Sequence, residues 1–204
     1  MRTLVDTSSL VSLARYYHPF DNTEILNEYL NSEIDSGNII VLDKIAEEVK
    51  YVSGGMAVEA FSCLKDNNRV VSTKDLIPKP QFFNMLDNSF VDNATKRLKF
   101  NDDEAGYNNA RDVFLKGADC ALVVYAMNNT SKMDPIQILT EESANQNDGK
   151  LFKKIPFICK AIGIRTLTSV EFLKELQSIQ VNIERLTEIE NKPIKHSIRC
   201  SIGF

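Results

Sequence analysis

Along the chain, short unbroken apolar runs alternate with longer stretches whose apolar residues recur every three or four positions, the periods of buried strand and amphipathic helix. Residues 2–6 form a short strand ending at Asp6. Thr7, Ser8 and Ser9 then offer N-caps for a helix carrying Leu10, Val11, Leu13 and Ala14, which Pro19 stops. Residues 23–35 place Ile25, Leu26, Tyr29, Leu30 and Ile34 on one helical face, and Gly37 supplies the left-handed stop. Residues 38–42 are continuously apolar after Asn38, as in a strand covered on both faces. Helices are predicted over 43–51, 56–65, 118–127 and 151–162, with another from Ser169 and a long helical stretch over 80–115 split near Asn101. Further strands are predicted at 69–72, 135–140 and 164–167. About five strands separated by helices predict a three-layer α/β/α domain with a central, mostly parallel sheet over residues 1–180. Residues 181–204 are expected to form a tail, with a possible strand at 197–202, that docks on the domain or meets a partner.

Composition narrows the class. With 204 residues, 43% of them hydrophobic and 25% charged, the chain reads as one ordinary globular domain with an appendage. Its longest apolar run, residues 120–127, is far short of the ~20 residues a membrane-spanning helix needs. The N-terminus has no apolar signal-peptide core and meets an acid at position 6, so a cytoplasmic location without membrane partners is expected. Four scattered cysteines, Cys63, Cys120, Cys159 and Cys200, suit a reducing compartment and argue against a thiolate zinc site. A net charge of −4 gives no general attraction to nucleic acid, so any such binding needs a local basic patch.

The chemistry is then left to carboxylates. The two histidines, His18 and His196, stand far apart, and neither nucleotide-binding glycine fingerprint is present. In an open parallel sheet, sites form beyond the carboxyl ends of strands. Asp6 follows the first strand directly, and the Glu141–Glu142 pair follows the run Ile138-Leu139-Thr140. Glu48 falls within the helical stripe of Ile45, Val49 and Val52, and Asp119 within that of Leu122, Val123 and Ala126. Each has a structural explanation of its own, as a helix cap or a boundary residue. Together they predict a partly dry cleft of like charges, stable when some acids are protonated or when a hard divalent cation such as Mg²⁺ or Mn²⁺ neutralises them.

Val5-Asp6-Thr7-Ser8, Ile45-Ala46-Glu47-Glu48, the run from Asp119 to Ala126, and Leu139-Thr140-Glu141-Glu142 resemble, in that order, the four acidic motifs of PIN-domain nucleases. The chain is most similar to the VapC-like toxins and related PIN-like proteins, over about residues 1–176. Its fourth motif carries Glu142 where the family usually has aspartate, and its helical region over 80–116 is longer than in compact toxins. The resemblance implies a Mg²⁺- or Mn²⁺-dependent endoribonuclease. Asp6, Glu48 and Asp119 would bind metal, Glu142 (or its neighbour Glu141) would complete the cluster, and a metal-activated water would cleave the phosphodiester. It implies that Thr7 or Ser9 holds the Asp6 carboxylate or a metal water. It also implies a homodimer and a cognate antitoxin as partners. The alternatives are a non-catalytic PIN-like binding or regulatory module, and a metal-dependent phosphatase or DNA nuclease built on the same acids.

The densest acidic run, Asp102-Asp103-Glu104, reads instead as a helix start, with Asn101 and Glu104 spaced as a capping box. An RNA substrate would need cations near the cleft. The candidates are Lys150, Lys153 and Lys154, together with Lys96, Arg97 and Lys99; Tyr16, Tyr17 and Phe20 are candidate stacking surfaces.

Overall fold

The computed structural model describes residues 1–101, 103–143, 149–176 and 179. Four strands, β1 (Arg2–Val5), β2 (Ile39–Ile40), β3 (Ile136–Leu139) and β4 (Arg165–Leu167), pair in parallel in the order β2-β1-β3-β4. Ten α-helices accompany them among the described residues. The first four are α1 (Thr7–Tyr16), α2 (Ile25–Asp35), α3 (Asp43–Glu48) and α4 (Met56–Ala60). Then come α5 (Pro80–Met85), α6 (Asn93–Phe100), α7 (Glu104–Lys116), α8 (Ala118–Asn129), α9 (Ile155–Ile162) and α10 (Ser169–Glu175). All four residues of β3 are buried, as a parallel sheet covered on both faces requires. The α/β class is as expected, and the arrangement is consistent with α/β/α layers. No described helix is long and apolar enough to cross a membrane.

Among the described residues the sheet has four strands, not five. The predicted strand at 69–72 shrinks to a single parallel bridge between Leu42 and Val71. Val71 N–H donates to Val41 O and Asp43 N–H donates to Val71 O, both at 2.9 Å. One residue further on, the ladder has no room. Its partner turns into α3 at Asp43, whose carboxylate accepts the Thr73 amide at 2.9 Å and the Thr73 hydroxyl at 2.6 Å. Side-chain bonds replace the next rung.

Several boundaries shift for local reasons. Helix α1 starts at Thr7 with Asp6 at the cap position, so the three candidate caps fall in its first turn. Helix α9 starts at Ile155, four residues after the predicted start, because residues 151–153 are extended. Val91 and Phe152 form an antiparallel bridge, flanked by bonds from Asp92 N–H to Leu151 O and from Lys153 N–H to Phe90 O, each 2.8 Å. At α7 the cap is Asp103, whose carboxylate accepts the Gly106 amide, so the run of acids is a helix start but not the expected Asn101 box. Asp102 lies outside the described residues, as do the tail at 181–204, its strand at 197–202, His196 and Cys200. Gly37 and Gly163 take φ of +76° and +72°, each ending a helix in a conformation that side chains resist.

Helix α10 carries a complete capping box. Thr168 Oγ1 accepts the Glu171 amide at 3.3 Å and Glu171 Oε2 accepts the Thr168 amide at 2.8 Å, rather than Ser169 acting as the cap. Thr168→Ala removes the first of these bonds and is expected to cost about 1 kcal/mol. Thermal denaturation should show it as a fall in Tm of about 2–4 °C for a chain of this size.

The core divides around α8. Ala121, Leu122 and Ala126 join the main cluster against the sheet. Cys120, Val123 and Val124 face a second cluster built from Phe82, Leu86, Phe90, Val91, Tyr107 and Phe152. The helical insert α5–α7 is thus packed onto the outer side of α8 by its own apolar core. A helix buried on two sides leaves little tolerance in where its first turn sits, and that turn carries Asp119.

Candidate functional site

The strand order sets where a site belongs. From β1 the chain runs to β2 on one side, while β3 lies on the other, so a crevice opens beyond the carboxyl ends of β1 and β3. Val5 is in register with Leu139, and Asp6 N–H donates to Leu139 O at 2.9 Å. The next residues along the two strands, Asp6 and Thr140, therefore stand side by side.

Asp6 is 5% exposed and makes no side-chain cap to α1. Its Oδ2 instead accepts the Ser8 hydroxyl at 2.5 Å and the Thr140 hydroxyl at 2.9 Å. Burial pushes its carboxyl above the usual range; the two hydroxyls oppose that shift and the nearby Glu142 charge adds to it. Asp119, in the first turn of α8, is pushed up to about 6. Burial is the main cause, followed by the charges of Asp6 and Glu142, with Lys150 opposing and Glu48 adding. Residues 6, 48, 119 and 142 thus come within electrostatic reach of one another across more than a hundred positions of chain.

The two remaining acids are held at the edges. Glu142 Oε1 accepts Lys150 Nζ at 2.9 Å, and Oε2 accepts the Ile155 amide at the start of α9, also at 2.9 Å. A carboxylate at a helix N-terminus satisfies an unpaired amide and meets the positive end of the dipole. Glu48 does not sink into the apolar stripe as expected. It is exposed at the last residue of α3, and its Oε2 accepts the Thr7 hydroxyl at 2.8 Å. The neighbouring Glu141 turns away to accept the Ser169 amide at the start of α10. Of the pair, Glu142 is the one facing Asp6 and Asp119.

The hydroxyls divide differently from expectation. Thr7 serves Glu48, and Ser9, fully buried, donates to the Asp6 and Leu139 carbonyls, joining α1 to β3. Ser8, not singled out from the sequence, holds the Asp6 carboxylate and also accepts the Glu141 amide. Its position two residues after a strand-terminal acid, where a hydroxyl can fold back onto that acid, was the available signal.

The described carboxylates and hydroxyls offer oxygen donors, and the mutual repulsion of the carboxylates is opposed in part by Lys150. A hard divalent cation fits such a donor set. Among the described residues, however, no three acidic, histidine or cysteine side chains are arranged to hold a metal ion. In this arrangement Glu142 is engaged by Lys150 and the start of α9, and Glu48 by Thr7.

The other candidates lie as follows. Lys99 Nζ donates to Gly149 O at 2.8 Å, which sets one lysine of the second basic group beside the residue preceding Lys150. Lys96 stands over the Tyr107 ring and Lys153 over the Phe157 ring. Tyr16 and Phe20 are exposed, Tyr17 half-buried. His18 meets Phe61 edge-on. Cys63, Cys120 and Cys159 are buried, and burial drives the Cys120 and Cys159 thiols up to about 12, which makes them inert.

Fold and cleft together define a parallel α/β protein with a carboxylate cluster at its topological switch point. Residues 3–179 match the family described as domain of unknown function DUF4411, and the chain belongs to that family. No curated protein and no solved structure matches it.

Proposed function

We propose that the chain is a divalent-metal-dependent endoribonuclease of the PIN-like class. The observation that carries this reading is the convergence of Asp6, Asp119 and Glu142, with Glu48 at the margin, beyond the carboxyl ends of β1 and β3. Asp6 and Asp119 are the residues that would hold Mg²⁺ or Mn²⁺, with Glu142 or Glu48 turning in to complete the set. Bound there, the ion would neutralise charge on the phosphodiester and make water a better nucleophile. Ser8 and Thr140 keep the Asp6 carboxylate oriented and bias it toward its charged form, and the buried α8 keeps Asp119 fixed opposite it. Lys150 and Lys99 supply positive charge at the rim, where an RNA backbone would approach.

Purified full-length protein should cleave RNA with Mn²⁺ or Mg²⁺ and not with EDTA. Asp6→Asn should remove cleavage while keeping a cooperative melting transition. A panel of RNA, single-stranded DNA and a chromogenic phosphoester separates this activity from a DNA nuclease or a phosphatase. One observation favours a second reading, a non-catalytic binding module: the engagement of Glu142 by Lys150 and Ile155. Failure of millimolar Mn²⁺ to raise Tm would select it. An antitoxin and a homodimer remain the partners expected for a toxin of this class.

A further inference from the structure

Lys150 sits against one of the acids of the cleft. Its ammonium contacts Glu142, whose side chain is 17% exposed, while the lysine side chain itself is 52% exposed. Its backbone is clamped from both sides by the helical insert. On one side Lys99, from α6, donates to Gly149 O. On the other, the bridge between Val91 and Phe152 and the bond from Asp92 N–H to Leu151 O fix the chain one residue later. Behind these bonds lies the second apolar cluster, including the stacked rings of Phe114 and Phe152 at 4.2 Å. The Lys150 charge also acts on Asp119, against the effects of Asp6, Glu142 and Glu48. The helical insert therefore does more than thicken the fold: it delivers one positive charge to the mouth of an acidic cleft.

We propose that Lys150 is a built-in counter-cation, clamped over the cleft by the α5–α7 insert, which a divalent metal ion must displace from Glu142 in order to bind. This inference rests on the metal-dependent reading of the site and adds its regulation. In the metal-free protein the ammonium offsets the repulsion among the acids. When the ion arrives, the Glu142 carboxylate changes partners, and the lysine side chain, 52% exposed, gives up that contact. Metal affinity is thereby held below what the carboxylates alone would give, so occupancy responds to the supply of the ion.

The test is Mn²⁺ titration of the full-length protein by calorimetry, with Tm followed in parallel. Lys150→Met keeps the stem and removes the charge, and it should bind Mn²⁺ about three- to fivefold more tightly than wild type, the range expected for a partly exposed pair. It should also melt at a lower temperature without metal and show a larger Mn²⁺-induced rise. Lys150→Arg keeps the charge and should bind as wild type does. Wild-type binding with equal or weaker affinity in Lys150→Met would overturn the counter-cation role and leave the metal site standing. No saturable binding in either protein at millimolar Mn²⁺ would overturn the metal reading and this inference with it.

Discussion

Asp119→Asn is expected to make the metal-free protein more stable at neutral pH while reducing RNA cleavage more than 100-fold. The two effects share one cause. The Asp119 carboxyl titrates near 6 because burial and the charges of Asp6, Glu142 and Glu48 disfavour its ionised form. At neutral pH it is nonetheless charged, and the folded state bears that cost. The amide is close to isosteric and carries no charge, so removing the repulsion should return about 1–2 kcal/mol, part of the gain being spent on burying the amide. For a chain of this size that is a rise in Tm of about 3–6 °C. Cleavage moves the other way, since loss of groups that merely support a metal ligand already costs about 10–100-fold and a direct ligand should cost more. Substitutions of structural carboxylates do not behave so. Asp43 is the internal comparison: against the cost of burial, the Thr73 hydroxyl and amide hold it below the usual range, and Asp43→Asn should destabilise. A fall in Tm for Asp119→Asn with cleavage intact would place Asp119 among the structural acids.

Much of this architecture was legible in the chain because strands of a covered parallel sheet are written as short continuous apolar runs. Residues 2–5, 136–139 and 165–167 all lie within predicted strands. The fifth strand failed for a reason that periodicity does not record. Val70 and Val71 have the right character, but the Asp43–Thr73 bonds, thirty residues apart in sequence, convert the rung into a side-chain clamp. The start of α9 was missed in the same way. Leu151 and Phe152 fit the helical period, yet their pairing with Val91 sixty residues away draws them into extended backbone. Tertiary pairing overrode local pattern in both places.

The site was partly legible too. Asp6 and Asp119 could be read from a strand end and a helical stripe, since burial of an acid is a statement about its apolar neighbours. Glu48 shows where that inference stops. It shares the stripe of Ile45 and Val49, both of which stay fully buried, but α3 ends at that residue and the Glu48 side chain is exposed, reaching back to Thr7. Choosing between Glu141 and Glu142 needed the positions of two helix N-termini, α10 and α9, that each carboxylate serves. The alternating geometry of an extended segment sends adjacent side chains opposite ways, and only the fold says which way is inward.

Without metal, stability should fall as pH rises from about 4 to 6, the reverse of what structural carboxylates produce. The sign follows from proton binding. An acid whose folded pKa lies above its unfolded value binds more protons in the native state, so it contributes stability below the unfolded pKa and loses it as pH passes the folded one. For Asp119 the window runs from the ordinary 3.8 to about 6, and a shift of that size is roughly 3 kcal/mol lost between its ends. Burial raises Asp6 as well, which steepens the slope. Below the ordinary aspartate value the trend reverses, because Asp43 and Asp92, held lower by bonds from Thr73 and Thr95, stay charged in the native state while the unfolded chain takes up protons, and what they contribute to stability is lost. Stability in EDTA should therefore peak on the acid side, and Tm near pH 5 should exceed Tm near pH 7.5 by several degrees. Mn²⁺ inverts the slope, since ions bind the deprotonated acids and gain affinity as pH rises. The gap between the Mn²⁺ and EDTA melting curves should widen as pH rises toward about 6 and level off above it. Melting curves in EDTA that are level across this range would mean that Asp119 is solvated and does not share a cleft with Asp6.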